Sequence, residues 1–210
     1  MHGDNIPLPK WCETLQQICE AADSSVGIVC ASYEVFEDGK TKNPGDSRGG
    51  NEIIHGSTDS ILGTIKKGCW WHNSCTAIRK DLFLELGGFP TGMRQKGDWD
   101  FLLRFLSSGH SISYIQKPLM KYREHSLSAS GFAFQRNLDL EEGLQVLLKY
   151  ASISPIPLLI KYHSRNFFIL CRRFGRSLLQ WNWQRAKSSF LMQIRNLSSL
   201  ISCCVLRLNR

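Results

Sequence analysis

A change of periodicity near residue 130 constrains this chain more than any other feature. Before it, short apolar runs are punctuated by Gly and Pro. After it, apolar residues recur at three- and four-residue spacing as far as the C-terminus. Residues 135–151, 155–174 and 182–208 therefore read as three helices, with breaks at Ser154-Pro155 and at Gly175. This predicts a mixed α/β part over residues 1–132 and a helical extension over 133–210. Charge divides nearly where periodicity does. Of the 26 Lys and Arg residues, 11 lie in 143–210, a stretch with no Asp or Glu; the last acid is Glu142. The net charge of +8 thus comes from the C-terminal third. A one-sided basic segment implies an anionic neighbour, whether membrane lipid, nucleic acid or an acidic partner. It would equally serve as a basic helical surface that keeps the protein in solution. No nucleic-acid-binding motif accompanies it, so nucleic acid is not an expected partner.

The first part carries recognisable punctuation. Trp11, Leu15, Ile18 and Ala22 share one helical face after Pro7 and Pro9, predicting a helix over 7–22. Val26, Ile28 and Cys30 alternate within a predicted strand over 25–36, closed by a turn at Glu37-Asp38-Gly39-Lys40. Residues 42–56 are polar and Gly-rich and read as a loop. Short helices are expected over 58–65, ended by Gly68, and over 80–86, ended by Gly87-Gly88, with a buried strand over 73–78 between them. A stronger helix is expected over 98–108, where Phe101, Leu102, Phe105 and Leu106 form the apolar stripe. Two strands, 111–115 and 119–123, flank Pro118, which cannot donate to a ladder.

With 42% hydrophobic and 21% charged residues the chain has a globular, not a disordered, composition. Its 210 residues suit one compact domain with an appendage. The eight cysteines form no C-x-x-C pair and read as buried free thiols of a reducing compartment. Met1 to Pro9 lacks a signal-peptide pattern, so a cytoplasmic location is expected. Residues 155–160 and 196–206 are the most apolar runs. Both are short, and Lys161, Arg165, Arg195 and Arg207 interrupt or flank them, so neither reads as a membrane span.

Three stretches together resemble family 2 glycosyltransferases of the GT-A fold. The first is Met1-His2-Gly3-Asp4-Asn5-Ile6-Pro7-Leu8-Pro9, similar to the segment in which a D-x-D-type acidic motif precedes a Pro and a helix. The second runs from Thr76-Ala77-Ile78-Arg79-Lys80 to Gly87-Gly88-Phe89, similar to the family's strand, short helix and "GGF". The third joins Gly97-Asp98-Trp99-Asp100-Phe101-Leu102-Leu103-Arg104 to Pro118-Leu119-Met120-Lys121-Tyr122-Arg123-Glu124-His125, similar to an "EDxDL" helix start and a later "YRxH". The resemblance covers residues 1–130 and implies a partial, Rossmann-like GT-A nucleotide-diphospho-sugar transferase domain followed by the basic helical segment.

What it implies chemically is inverting transfer of a sugar from a nucleotide-sugar donor to a glycan or lipid-linked acceptor, as in polysaccharide biosynthesis. Such a reaction needs a base for the acceptor hydroxyl and neutralisation of the departing diphosphate. The resemblance implies Asp98 as the base, although Gly97 stands where the family has a preceding acid; by itself Asp98 also reads as a helix cap. Asp4 matches the later Asp of D-x-D, His2 replacing the earlier one, and otherwise reads as a turn residue before Pro. His125 matches the family's metal-proximal histidine, and otherwise reads as a surface His. Together these imply Mn²⁺ or Mg²⁺, hard cations that bind phosphate oxygens. Trp70, Trp71 and Trp99 are candidates to stack on a sugar ring, with core packing the alternative for each, and Asp100 and Arg104 belong to helix structure or to acceptor-side support. His72 has no role in this reading.

A GT-A domain opens with βα units that bind the nucleotide, and two such units need on the order of 60–100 residues. Three residues precede Asp4, and no Gly-rich phosphate loop occurs elsewhere. That half is thus expected from upstream sequence or from a partner chain, or it is lost in an inactive remnant. The competing functional expectation is a non-catalytic module whose basic helices dock to an anionic membrane surface or partner. Phe167, Phe168, Leu170 and Phe174 beside Arg172, Arg173 and Arg176 have the make-up of an interfacial helix.

Overall fold

A computed structural model describes residues 5–37, 39–124 and 133–209. The chain divides into two compact units: residues 1–90 with 98–125, and residues 91–97 with 126–210. The first is mixed α/β and the second is helical.

The α/β unit is built on one six-stranded sheet. Its centre is a parallel pair, β2 (Val26–Glu37) and β6 (Ser111–Arg123). Short antiparallel strands cover both outer edges of that pair. β1 (Ile6–Pro7) and β4 (Asn51–Ile54) lie along β6, and β3 (Lys40–Asn43) and β5 (Thr76–Ile78) lie along β2. Two central strands so flanked leave only short edges open, which limits strand-to-strand aggregation.

β6 is one strand where the sequence predicted two. Ala31 pairs with Ile115 and the next residue, Ser32, pairs with Pro118. Gln116 and Lys117 therefore bulge out, and the bulge removes Pro118 from a position that requires a donor. Gln116 bonds instead to the backbone of Gly49 and Gly50, at 2.8 and 2.9 Å. That pairing brings in β4, a strand inside the segment predicted as loop.

α1 (Trp11–Ala21) packs Leu15 on one sheet face, against Val29, Ala31, Cys75, Leu119 and Met120, with Trp11, Ile18 and Tyr33 at the margin. α2 (Thr58–Lys67) is capped by Ser57, whose hydroxyl accepts from the Ser60 amide, and ends at Gly68 with φ +87°. α3 (Lys80–Glu85) and α4 (Gly97–Ser107) bring Leu82 and Phe105 against Gly27. A Cβ there would stand 2.9 Å from the Phe105 ring and closer still to Leu82, so the sheet admits these helices only because residue 27 lacks one.

The helical unit comprises α5 (Leu138–Lys149), α6 (Ile156–Leu179) and α7 (Trp183–Leu208). α6 and α7 pack as a hairpin. α6 runs through Gly175, the predicted break, to the turn at Gln180–Asn182, where Trp181 has φ +52°. Its hairpin seam holds polar contacts among apolar ones. His163 Nδ1 lies 2.9 Å from Asn196 Oδ1, and Asn196 Nδ2 donates to the His163 carbonyl at 3.0 Å. Arg173 donates to Asn137 Oδ1 at 2.8 Å and makes a two-pronged pair with Asp139 at 2.9 and 2.8 Å. In the same unit, the buried Glu142 carboxylate accepts the backbone amides of Arg94, Gln95 and Lys96 at 2.9, 2.7 and 2.8 Å. Three converging amides are a strong anchor for one anion.

Candidate active site

In open α/β sheets, ligands bind beyond the carboxyl ends of the parallel strands. Tyr33 lies in the carboxyl half of β2 and Tyr122 at the end of β6. His72 contacts both rings, with centroid separations of 5.2 Å to Tyr33 and 4.7 Å to Tyr122. The two tyrosines meet edge-on at 6.2 Å. His72 is held by its own backbone: its Nδ1 accepts from the Ser74 amide at 3.2 Å, capping the tight turn Asn73–Cys75. The acceptor role fixes Nδ1 as the bare nitrogen of neutral imidazole, with the proton on Nε2. Burial, followed by the neighbouring Cys69, Tyr122, Asp98 and Tyr114, pushes the Tyr33 phenol up to about 12. Tyr33 therefore remains a neutral hydroxyl at physiological pH.

Asp98 is half-buried in the first turn of α4. Its Oδ1 accepts from the Trp99 amide at 2.7 Å, and its backbone carbonyl accepts from Trp71 Nε1 at 3.3 Å. The bond from Trp71 ties α4 to the aromatic group at the strand ends, since the next residue, His72, packs on Tyr33 and Tyr122.

The three candidate tryptophans occupy different environments. Trp70 is half-buried, meets Tyr114 edge-on at 5.5 Å, and donates from Nε1 to Thr64 Oγ1 at 3.1 Å. It lines an open cleft of about 450 Å³ with Tyr114, Asp46, Arg48, Glu52, Asp59 and Lys67. Trp71 is 3% exposed and stacks on Phe101, and Trp99 is 2% exposed in the core. Neither presents a ring face to solvent. Asp100 is 1% exposed and pairs with Arg104 Nε at 2.8 Å. Arg104 also donates to the carbonyls of Leu86 and Gly88, the latter at 2.6 Å, so the pair fastens α4 to the Gly87-Gly88 turn.

Asp4 and His125, the candidate metal ligands, lie outside the described residues, as does His2. Their described neighbours meet. Asn5 Nδ2 donates to Ser74 Oγ at 3.1 Å, and Asn5 Oδ1 accepts from the Arg123 amide at 3.4 Å. Among the described residues, no three His, Cys, Asp or Glu side chains converge as a metal site.

No protein-family model matches the chain, and no curated protein matches it. Tyr33 and Tyr114 went unnoticed in the sequence because each is a lone polar aromatic, Tyr122 entered only as part of the Tyr122-Arg123-Glu124-His125 motif, and His72 was given no role. Tyr33 and Tyr122 share one signal, a position late in a predicted strand.

Proposed function

We propose that the α/β unit is the acceptor-side part of an inverting glycosyltransferase of the family 2, GT-A kind. The supporting observation is that consecutive residues join Asp98, in the first turn of α4, to the strand ends: Trp71 Nε1 donates to the Asp98 carbonyl at 3.3 Å, and His72 packs against Tyr33 and Tyr122. The hydrogen bond between Asn5 and Arg123 adds weight, because the resemblance assigns the adjacent Asp4 and nearby His125 to one Mn²⁺ or Mg²⁺ ion. That ion would neutralise the diphosphate of the donor.

In this reading, Asp98 takes the proton of an acceptor hydroxyl as its oxygen attacks the anomeric carbon. The bond from that carbon to the nucleoside diphosphate breaks, and its electron pair leaves with the diphosphate. One in-line displacement inverts the anomeric centre. Tyr33 and His72 supply neutral donors beside the acceptor, and the Trp70 cleft offers an apolar ring edge among charged groups, as a saccharide requires. The acceptor is a glycan or a lipid-linked saccharide. Donor binding is assigned to residues outside those described or to a partner chain, since the described residues carry no glycine-rich phosphate loop.

The test is sugar transfer by the gene product purified from its own cell, with and without Asp98→Asn. The substitution keeps the helix-capping oxygen and removes the base. Turnover should fall by about 10²–10⁴-fold with binding little changed. Unchanged turnover would remove Asp98 from the mechanism.

A further inference from the structure

The α6–α7 hairpin leaves large apolar residues on its outside. A helix pair in water buries its large apolar residues and exposes polar ones. Here the buried positions mix apolar residues, among them Leu159, Leu170 and Met192, with His163, Asn166, Ser177, Ser189 and Asn196. The outward positions of α7 include Trp183, Phe190, Ile194, Leu197, Ile201, Val205 and Leu208, each at least 49% exposed. These recur every third or fourth residue from Phe190 onward, so they form one straight stripe along the helix. Ile160, Phe167 and Leu178 form a second exposed line on α6. Gln193 sits between the two lines, donating from Nε2 to the Phe167 carbonyl and to Cys171 Sγ at 3.2 and 3.5 Å. A continuous exposed apolar face of this length marks an interaction surface.

Charge decides the partner. Residues 143–210 carry 11 Lys and Arg and no acid. Lys161, Arg165, Arg172 and Arg176 follow one another along α6, beside its apolar line, and all four are exposed. A second copy would set this basic face against itself. Anionic phospholipid satisfies both components, taking apolar side chains below the headgroups and cations among them. At the hairpin turn, Trp181 and Trp183 are 79% and 64% exposed and meet edge-on at 6.3 Å. Aromatic residues of this kind favour the membrane–water interface.

Among the described residues, α7 alone is long and apolar enough by composition to cross a bilayer, and 22% of the qualifying stretch is buried. Away from the stripe, however, its exposed positions include Gln184, Lys187, Arg195, Ser198 and Ser202 beside Leu191 and Leu206, and a polar face of this kind fits a helix lying in the interface. We propose that the α6–α7 hairpin lies flat on an anionic bilayer, α7 inserting its stripe and α6 contributing the basic flank. This inference is independent of the glycosyltransferase reading.

The test is co-sedimentation of the full chain with vesicles of phosphatidylcholine alone or mixed equally with phosphatidylglycerol. Binding should favour the anionic vesicles strongly. Arg172→Ala with Arg176→Ala should weaken it roughly 25-fold, at about fivefold per charge. Ile201→Asp, on an exposed position that leaves helix content by circular dichroism unchanged, should weaken it by at least about 20-fold. Equal binding to both vesicle types, or binding indifferent to Ile201→Asp, would overturn the proposal. Resistance of the bound chain to alkaline carbonate extraction would overturn it in favour of a spanning helix.

Discussion

Arg104 shows how one side chain joins separate sequence motifs. The Gly87-Gly88 turn and the Asp98–Arg104 segment are separate in sequence, and in the fold they are bonded. The Arg104 guanidinium spans the Asp100 carboxylate and the Leu86 and Gly88 carbonyls. Asp100 is almost fully buried, so the pair is held out of water. Arg104→Ala should destabilise the α/β unit by about 3 kcal/mol, because removing one member of a buried pair strands the other. Arg104→Lys should recover part of this loss, since Lys restores charge but not the planar fork. Denaturant titration reads both, and an Arg104→Ala variant as stable as the parent would refute this role. The pairing itself was legible as an i, i+4 spacing on a helix. The grip on the carbonyls was not, because no sequence pattern records which turn a helix will pack beside. The same limit explains the tryptophans: spacing alone did not separate Trp70 in its cleft from Trp71 stacked on Phe101.

Elements with their own punctuation were legible. α2 begins at a Ser cap and ends at Gly68, α4 follows its apolar stripe, and β2 follows its alternation. Elements that exist because of a neighbour were not. β4 forms because the β6 edge needs a partner at the Gln116 bulge, and no apolar alternation in 42–56 announces it. β6 looked interrupted because a proline in a ladder normally ends it; the bulge relieves that conflict. The α6–α7 seam adds a pH dependence. Burial holds the His163 imidazole below its ordinary pKa of 6.5, opposed in part by its bonds to Asn196. Its Nδ1–H can donate to Asn196 Oδ1, which leaves the buried Nε2 without a partner. Because the unfolded chain then binds a proton more readily than the folded one, stability is fully present above about pH 6.5 and falls as pH drops below it. Helical-unit stability, followed by hydrogen exchange of α6 and α7, should decline from pH 7 to pH 5. His163→Gln, which keeps an amide donor for Asn196, should flatten the profile. An identical slope in both proteins would exclude His163 as its source.

At the scale of the whole molecule, the periodicity change near residue 130 separates two ways of meeting solvent. The α/β unit buries its aliphatic and aromatic residues around a sheet, whereas the helical hairpin mixes polar with apolar residues in its seam and leaves large apolar ones outside. The amino-acid pattern revealed the basic, helical character of the second part but not its exposed apolar face, since which face of a helix is covered depends on where its partner packs. The cysteines offer a readout of each unit. Cys30 and Cys75 are buried in the α/β unit and Cys203 in the helical one, while Cys12, Cys19 and Cys171 are exposed. Burial also raises the Cys75 thiol to about 11 and shifts Cys30 and Cys203 upward, which lowers the reactive thiolate fraction further. Brief alkylation of the native protein should therefore mark Cys12, Cys19 and Cys171 and spare the three buried thiols. Because each unit has its own buried core, pulse labelling along a denaturant series should expose Cys203 at a different midpoint from Cys30 and Cys75. Mass spectrometry of the labelled peptides resolves the two midpoints. Coincident labelling of all three at every denaturant concentration would mean that the chain unfolds as a single cooperative body, and the hairpin would then owe its stability to the α/β core and not to its own seam.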